Sequence, residues 1–251
     1  MTSSYCIVIP HYRHLRPLSA MLPKLARFGL DVFVIDDASG EAVSRPLQAE
    51  IAKYPNIRLI QRKENGGKGA AMMTGLRSAA GHGHSHAISL DADGQHDPDA
   101  IPELLQRSQA QPDSLFSGRP VFGEDIPAAR LYGRMLTNCL VQFVTASRMV
   151  PDAMCGLRVY PLAHVLPLCD AIGYRTRMEF DVEILVRACW AGLDVQTMDT
   201  AVTYPQDGES HFNLIADNAR LVAMHALLIM GGLVRLPRTL WRRLGRRVAA
   251  R

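Results

Sequence analysis

Short apolar runs that end in charged or polar residues, each followed by a stretch with helical spacing, recur through the first half of this chain and restrict its fold more than any other feature. The runs are YCIVIP at 5–10, DVFVIDD at 31–37, NIRLIQ at 56–61 and HAISLDAD at 86–93. Each is too short for a helix, rich in β-branched residues and bounded by proline, acid or glycine, so each reads as a buried strand. Between them, residues 15–28 and 69–80 place apolar side chains at helical intervals. Strands separated by helices pair in parallel, because parallel neighbours require a crossover. The expected fold class is therefore α/β, with a mostly parallel central sheet flanked by helices.

In open sheets of this kind ligands collect outside the carboxyl ends of the strands. There the sequence places His11, Asp36, Asp37, Asn65, Lys68, Asp91 and Asp93. After Pro112 the pattern loosens: FSGRPVF at 116–122 reads as a strand and residues 131–149 as a helix with apolar positions 131, 135, 136, 140, 143 and 144. CGLRVYPL, FDVEILVRACWAG and DVQTMDTAVTYP then read as strand, helix and strand. No repeat, low-complexity stretch or linker interrupts the chain, so one domain is the simplest account.

With 251 residues, 48% of them apolar, the chain is long enough to bury a full core. Its five cysteines, at 6, 139, 155, 169 and 189, are odd in number and form no C-x-x-C pair. That suggests neither a disulfide framework nor a zinc cage and fits the reducing cytoplasm. The N-terminus lacks the charged start and long apolar run of a signal peptide, so no export is expected. The net charge is +4, yet residues 235–251 hold seven arginines and no acid, so the remainder is net acidic. Basicity confined to a tail argues against nucleic acid as a partner, which needs basic residues spread over a docking face. Just before the arginines, LVAMHALLIMGGLVRLP at 221–237 is interrupted by His225 and is shorter than the roughly 20 residues that cross a bilayer. With Trp241 following, it reads as an interfacial, membrane-associating segment. The alternative is a C-terminal helix packed on the core with a solvated basic end.

The segment richest in chemistry is SLDADGQHDP at 89–98, where a strand ends in two carboxylates one residue apart. Mg2+ or Mn2+ is the natural partner: hard cations take oxygen ligands, usually one or two carboxylates with substrate phosphates completing the shell. Gly94 permits a sharp turn, and the Gln95 amide offers a further oxygen. Asp-Gly is also an ordinary turn signal and Asp97-Pro98 an ordinary helix start. What favours the chemical reading is company on the same sheet edge, namely VIDDAS at 34–39 and ENGGKGAA at 64–71. The latter is no phosphate loop, since Arg62 stands where the first glycine of G-x-x-x-x-G-K-[ST] belongs and Gly69 where its hydroxyl belongs. It is a glycine-rich turn opening a helix, with Lys68 beside backbone amides that favour anions. The histidines of GHGHSH, at 82, 84 and 86, lie in a flexible turn with no acid or cysteine to complete a zinc set.

Taken together, IPHY, VIDDAS, NGGKGAA, SLDADGQHDP, SGR, DAMCGLRVY, EFDVEIL and GESHF occur in an order that resembles family 2 glycosyltransferases over residues 5–213. The branch it is most similar to is that of the dolichyl- and polyprenyl-phosphate sugar synthases. The resemblance implies a GT-A fold over residues 1–215, with a nucleotide-sugar-binding half at 1–112, an acceptor half at 113–215, and 216–251 as an amphipathic, arginine-rich tail. It also implies an inverting transferase, with a UDP- or GDP-linked sugar as donor and a lipid-linked acceptor, working on the inner face of the cytoplasmic membrane.

By the same resemblance Asp37 contacts the donor base, Pro10 and Tyr12 lie beneath the nucleotide, and Lys68 and Arg119 sit on the donor side. Asp91 and Asp93 form the metal motif with Gln95 as an additional ligand. Ser210 and His211 in GESHF close over the pyrophosphate. Asp181 is the candidate base, with Glu179 second, if the acceptor is a hydroxyl; an ionised lipid phosphate needs none. Both acids also suit the N-terminus of a helix. Arg158 either holds an acceptor phosphate or pairs with Asp152. The first loop carries Arg13 and His14 where this family has Asn-Glu, which leaves the donor base open. Two other classes remain as rivals: a sugar-nucleotide nucleotidyltransferase, for which a glycine-rich basic loop is expected after the first strand, and a silent nucleotide-binding membrane scaffold.

Overall fold

The computed structural model describes residues 3–122, 128–147, 150, 152–172, 177–203 and 214–249, with side chains over 3–122, 131–147, 150, 152–172, 177–203 and 216–235. Seven strands form one sheet: β1 (Tyr5–His11), β2 (Asp31–Asp36), β3 (Ile57–Gln61), β4 (His86–Ser89), β5 (Leu115–Phe122), β6 (Arg158–Pro161) and β7 (Val195–Val202), in the order β3-β2-β1-β4-β6-β5-β7. Only β6 runs against its neighbours, pairing antiparallel with β4 and β5, while β5 and β7 are parallel. The helices are α1 (Leu15–Arg27), α2 (Glu41–Ile51), α3 (Lys68–Gly81), α4 (Ile101–Ala110), α5 (Ala128–Thr145), α6 (Leu162–Ile172), α7 (Phe180–Ala191) and α8 (Leu214–Ala249).

The apolar run at β1 is continuous because both faces of this central strand are covered. Successive side chains of a strand point to opposite faces, and the core divides accordingly. Cys6 and Val8 pack with Phe33, Ile35 and the α3 residues Met72 and Leu76. Ile7 and Ile9 pack with Val32, Val34 and the α1 residues Leu18, Leu22 and Leu25. The α1 set recurs at the spacing of one helical face, and burying a leucine of this kind contributes about 1.5–3 kcal/mol. Against the other face α3 lies very close: a Cβ at Gly75 would sit 2.3 Å from Val8 Cγ1, so only glycine fits there.

The division expected at residue 112 falls on the connection into β5, inside a single continuous sheet. The helix expected over residues 131–149 is α5, and of its apolar positions Val144 is buried, with Thr137 and Val141 beside it, while Met135, Leu136 and Phe143 face outward. The expected tail is one 36-residue helix beginning at Leu214. Its first part belongs to the fold: Met224 and Leu228 join the core, and Gly231 and Gly232 let it approach Trp190 and Val144, where an added Cβ would lie 3.0 Å from either side chain.

Candidate active site

Because β3, β2, β1 and β4 are parallel neighbours, their carboxyl ends align, and the polar residues that end them share one edge. At the end of β2, buried Asp36 accepts from His11 Nδ1 at 3.2 Å, from the Ser39 amide at 3.3 Å, and from the Ser39 and Ser44 hydroxyls. Burial opposes its charge, but these donors hold the carboxyl down at about 2. The Ser39 hydroxyl also takes the Arg13 amide at 2.9 Å, which fixes Arg13 at φ 61°. The loop carrying Tyr12, with Arg13 over its ring at 5.0 Å, is thus built on Asp36. Pro10 is the penultimate residue of β1, opposite Ile35.

Asp37, the residue expected at the donor base, follows Asp36 at the end of β2. Its carboxylate is buried and accepts from Arg62, from the Gly66 amide at 3.1 Å and from the Gly67 amide at 2.6 Å. It therefore holds the glycine turn that opens α3. From the other side, Arg177 donates to the Asn65 side-chain oxygen at 2.8 Å and accepts the Gly69 amide at 3.0 Å. Gly67, at φ 85°, must be glycine twice over: a Cβ would also strike Arg177 Cγ at 2.4 Å.

The turn delivers Lys68 between two carboxylates. Its ammonium lies 2.7 Å from Asp91 Oδ1 and 2.6 Å from Asp181 Oδ2, joining the end of β4 to the first turn of α7. Burial alone would lower the lysine pKa, but Asp181 and then Asp91 raise it above its ordinary value, so the ammonium stays charged. Burial likewise opposes ionisation of Asp91, and Lys68 outweighs it, keeping the carboxyl below its usual range. Asp91 rests on the Gly156 backbone: a Cβ there would be 2.0 Å from Asp91 Oδ2. The Cys-Gly dipeptide is thus a seat for the first carboxylate.

Among the described residues no cation pairs with Asp93. Its Oδ1 accepts the Gln95 amide at 3.0 Å. Burial, and next the charge on Asp91, push its carboxyl up to about 6. A carboxylate destabilised beside another at i and i+2 fits a hard divalent cation, which would remove that repulsion. Among the described residues no group of three or more His, Cys, Asp or Glu gathers into a metal cage. Asp91 and Asp93 are a pair of the kind that, with oxygens from a ligand or water, could hold magnesium. Gln95 is fixed next to Asp93 by its backbone, which also accepts the Thr203 amide at 3.0 Å.

Other expected residues are placed differently. Arg158 is fully buried in β6 and donates to the backbone oxygens of Asp181 at 2.6 Å and Ala153 at 2.8 Å. It braces the α7 start against the Cys-Gly segment, and Asp152, its expected partner, pairs with Arg134 at 2.8 Å instead. Arg119 is exposed on the β5 edge and pairs with Asp199 on β7, not with the acidic cluster. Glu179, just before α7, is buried with Oε2 lacking a partner among the described residues. Ser210 and His211 lie outside the described residues. The GHGHSH histidines are separately engaged, His82 by Ser78, His84 by Asp31 and His86 by the Pro112 carbonyl.

Sequence reasoning missed His96 and Arg177. His96 is buried near Asp91, with Nε2 3.8 Å from Cys155 Sγ, and its backbone bridges to Val202. Burial keeps its imidazole below the usual pKa, hence neutral. Its place directly after Gln95 was the available signal; Arg177 gave none.

A seven-stranded sheet of this order, with an Asp-x-Asp pair at the end of β4, is a GT-A fold of the nucleotide-sugar transferase kind. The model of glycosyl transferase family 2 matches residues 6–162, more than half of the chain, and the chain belongs to that family. It is 32% identical over 154 residues to the undecaprenyl-phosphate mannosyltransferase of Micrococcus luteus, covering 61% of this chain and 60% of that protein. To the dolichyl-phosphate beta-glucosyltransferase of Dictyostelium discoideum it is 24% identical over 231 residues, covering 80% and 66%. The chain thus spans about two thirds or less of the length of these relatives. The fold matches that of glucosyl-3-phosphoglycerate synthase from Mycobacterium tuberculosis, solved with Mn2+, UDP and phosphoglyceric acid, at a TM-score of 0.65 and 17% identity over 93% of this chain and 78% of that one.

Proposed function

We propose that this protein is a metal-dependent, inverting glycosyltransferase that moves a sugar from a UDP- or GDP-linked donor to a polyprenyl phosphate or another lipid-held acceptor, at the cytoplasmic face of a membrane. The observation that carries the reading is the convergence of Asp91, Asp93, Lys68 and Asp181 at the carboxyl end of β4. The polyprenyl-linked relatives favour a lipid phosphate as acceptor. Mn2+ and UDP in the solved synthase favour a divalent ion beside a nucleotide.

Asp91 and Asp93 would hold the ion, whose chemistry is to offset charge on the departing diphosphate. The residues of the chain do the rest. The glycine turn presents Lys68, whose permanent charge faces anionic oxygens, and Asp37 with Arg177 keeps that turn in place. Asp181 holds Lys68; with a hydroxyl acceptor it is also the group placed to take the proton, whereas a phosphate acceptor arrives ionised. Arg158 fixes the backbone at Asp181.

The test is a thermal-shift screen of UDP- and GDP-sugars with and without Mn2+, followed by assay of transfer to polyprenyl phosphate. A donor should raise the melting temperature only with the metal, since a ligand that binds the folded state alone stabilises it. Asp93→Ala should abolish that metal effect. An unchanged Mn2+ response in the variant removes the site assignment, and synthesis of sugar nucleotide from sugar phosphate replaces the reading with nucleotidyl transfer.

A further inference from the structure

The outward side of α5 is apolar although nothing in the described structure packs on it. Tyr132, Met135, Leu136 and Phe143 all point away from the body, with Tyr132 70% and Leu136 64% exposed. They recur at i, i+3, i+4 and i+11, which makes one stripe on a helix. The opposite stripe, Thr137, Val141 and Val144, is buried. A helix with apolar residues on both sides has two surfaces to satisfy, and the fold satisfies one.

α8 packs alongside α5 and shows the same pattern. Met224 and Leu228 face the body, while Val222, Leu227, Met230 and Val234 are exposed on the far side, Val234 by 78%. The stretch Ala216–Arg235 is long and apolar enough to cross a membrane. Its inner side is nevertheless committed to the protein, through Gly232 against Val144 and through Arg235 over the Trp190 ring at 4.8 Å. Such a helix lies along a surface rather than leaving the body to span a bilayer.

Charge decides what surface that is. Between Asp217 and the end of the chain there is no acidic residue, whereas α8 continues into the arginine run, and α5 contains no acid either. A second copy of this face would bring no carboxylate to the arginines. A bilayer with anionic headgroups supplies both an apolar cover for the two stripes and a negative charge to match the arginine-rich sequence that follows them.

We propose that the outward faces of α5 and α8 form one docking surface for an anionic phospholipid bilayer, with α5, and not only the arginine-rich end, in contact with lipid. This rests on the reading that the chain acts on a lipid-held acceptor. It adds a route between membrane and site. Arg134 of α5 pairs with Asp152 at 2.8 Å, and Asn138 accepts the Ala153 amide at 2.9 Å. Three residues further on, Gly156 seats Asp91. A helix resting on lipid therefore stands one short segment from the first carboxylate.

Cys139 is exposed on α5 within the apolar stripe and reports on contact directly. The full chain is mixed with vesicles of phosphatidylglycerol and phosphatidylethanolamine in equal parts, or of phosphatidylcholine alone. Bound protein is measured by co-sedimentation, and alkylation of Cys139 by a water-soluble maleimide is followed by mass spectrometry. Anionic vesicles should bind the chain and slow alkylation at Cys139 by roughly tenfold or more. The pair Leu136→Ser and Phe143→Ser should weaken binding by roughly a hundredfold, since each removes apolar burial equivalent to about one power of ten. Binding with unchanged Cys139 reactivity and an unaffected double variant overturns the role of α5 and leaves only the arginine end. Failure of the unaltered chain to bind anionic vesicles overturns the membrane reading itself. A lipid-free dimer in ultracentrifugation that the double variant dissociates assigns the face to a second copy instead.

Discussion

Replacing Asp93 by asparagine in metal-free protein is expected to stabilise the chain above pH 6 and to change little near pH 4. The folded state holds the Asp93 carboxyl near 6, against 3.8 for an ordinary aspartate. Folded protein therefore binds more protons than unfolded protein between those values, and stability falls as pH rises through that window. The full stability is present below the ordinary value and the loss is complete above the folded one. Two units at about 1.4 kcal/mol each give about 3 kcal/mol as an upper figure. Asp93 is partly exposed, and solvent screening brings the realised cost to about 1–3 kcal/mol.

Asparagine keeps an oxygen for the Gln95 amide, so the substitution removes the charge and little else. For a chain of this size the gain corresponds to roughly 2–10 °C in melting temperature. The assay is urea or thermal denaturation of both proteins in EDTA across pH 4–8, with the difference between the two curves as the readout. Mn2+ at pH 7 should then stabilise the unaltered protein and not the variant. Parallel stability curves at every pH would refute the claim that Asp93 carries an uncompensated charge.

Gly156→Ala places a methyl 2.0 Å from Asp91 Oδ2; it should cost about 1–3 kcal/mol from overpacking and abolish metal-dependent donor binding, whereas Gly81→Ala, where nothing lies within 4 Å, changes neither in the same thermal-shift assay. Asp37→Asn leaves Arg62 without its carboxylate and weakens the hold on the Gly66 and Gly67 amides. The expected loss is about 2–4 kcal/mol in chemical denaturation, with donor binding weakened through the displaced Lys68.

Much of the candidate site was legible because its parts stand at strand ends. A run such as HAISLDAD shows both the strand and the acids beyond it, and parallel pairing puts every such end on one edge. The meeting of Lys68 with Asp181 was not legible, since 113 residues separate them and α7 had to be folded against α3 first. Arg158 misled for a related reason: its sequence neighbours look like a binding motif, but antiparallel β6 threads it into the middle of the sheet, where it serves backbone oxygens. Asp37 was found as a site residue while its partners, Arg62 and two glycine amides, came from another strand end.

The sequence by itself determined the layered α/β architecture, the mostly parallel sheet and the placing of acids and the Gly-Gly-Lys turn along its edge. Those follow from local periodicity and from which residues close each strand. Tertiary structure alone decided that Asp91 receives the lysine while the Asp93 carboxyl is pushed up, that Gly156 is the seat of Asp91, and that the apolar residues 135, 136 and 143 of α5 face outward. Helical spacing specifies that a stripe exists, but only the neighbours it meets in space determine whether that stripe is core or surface.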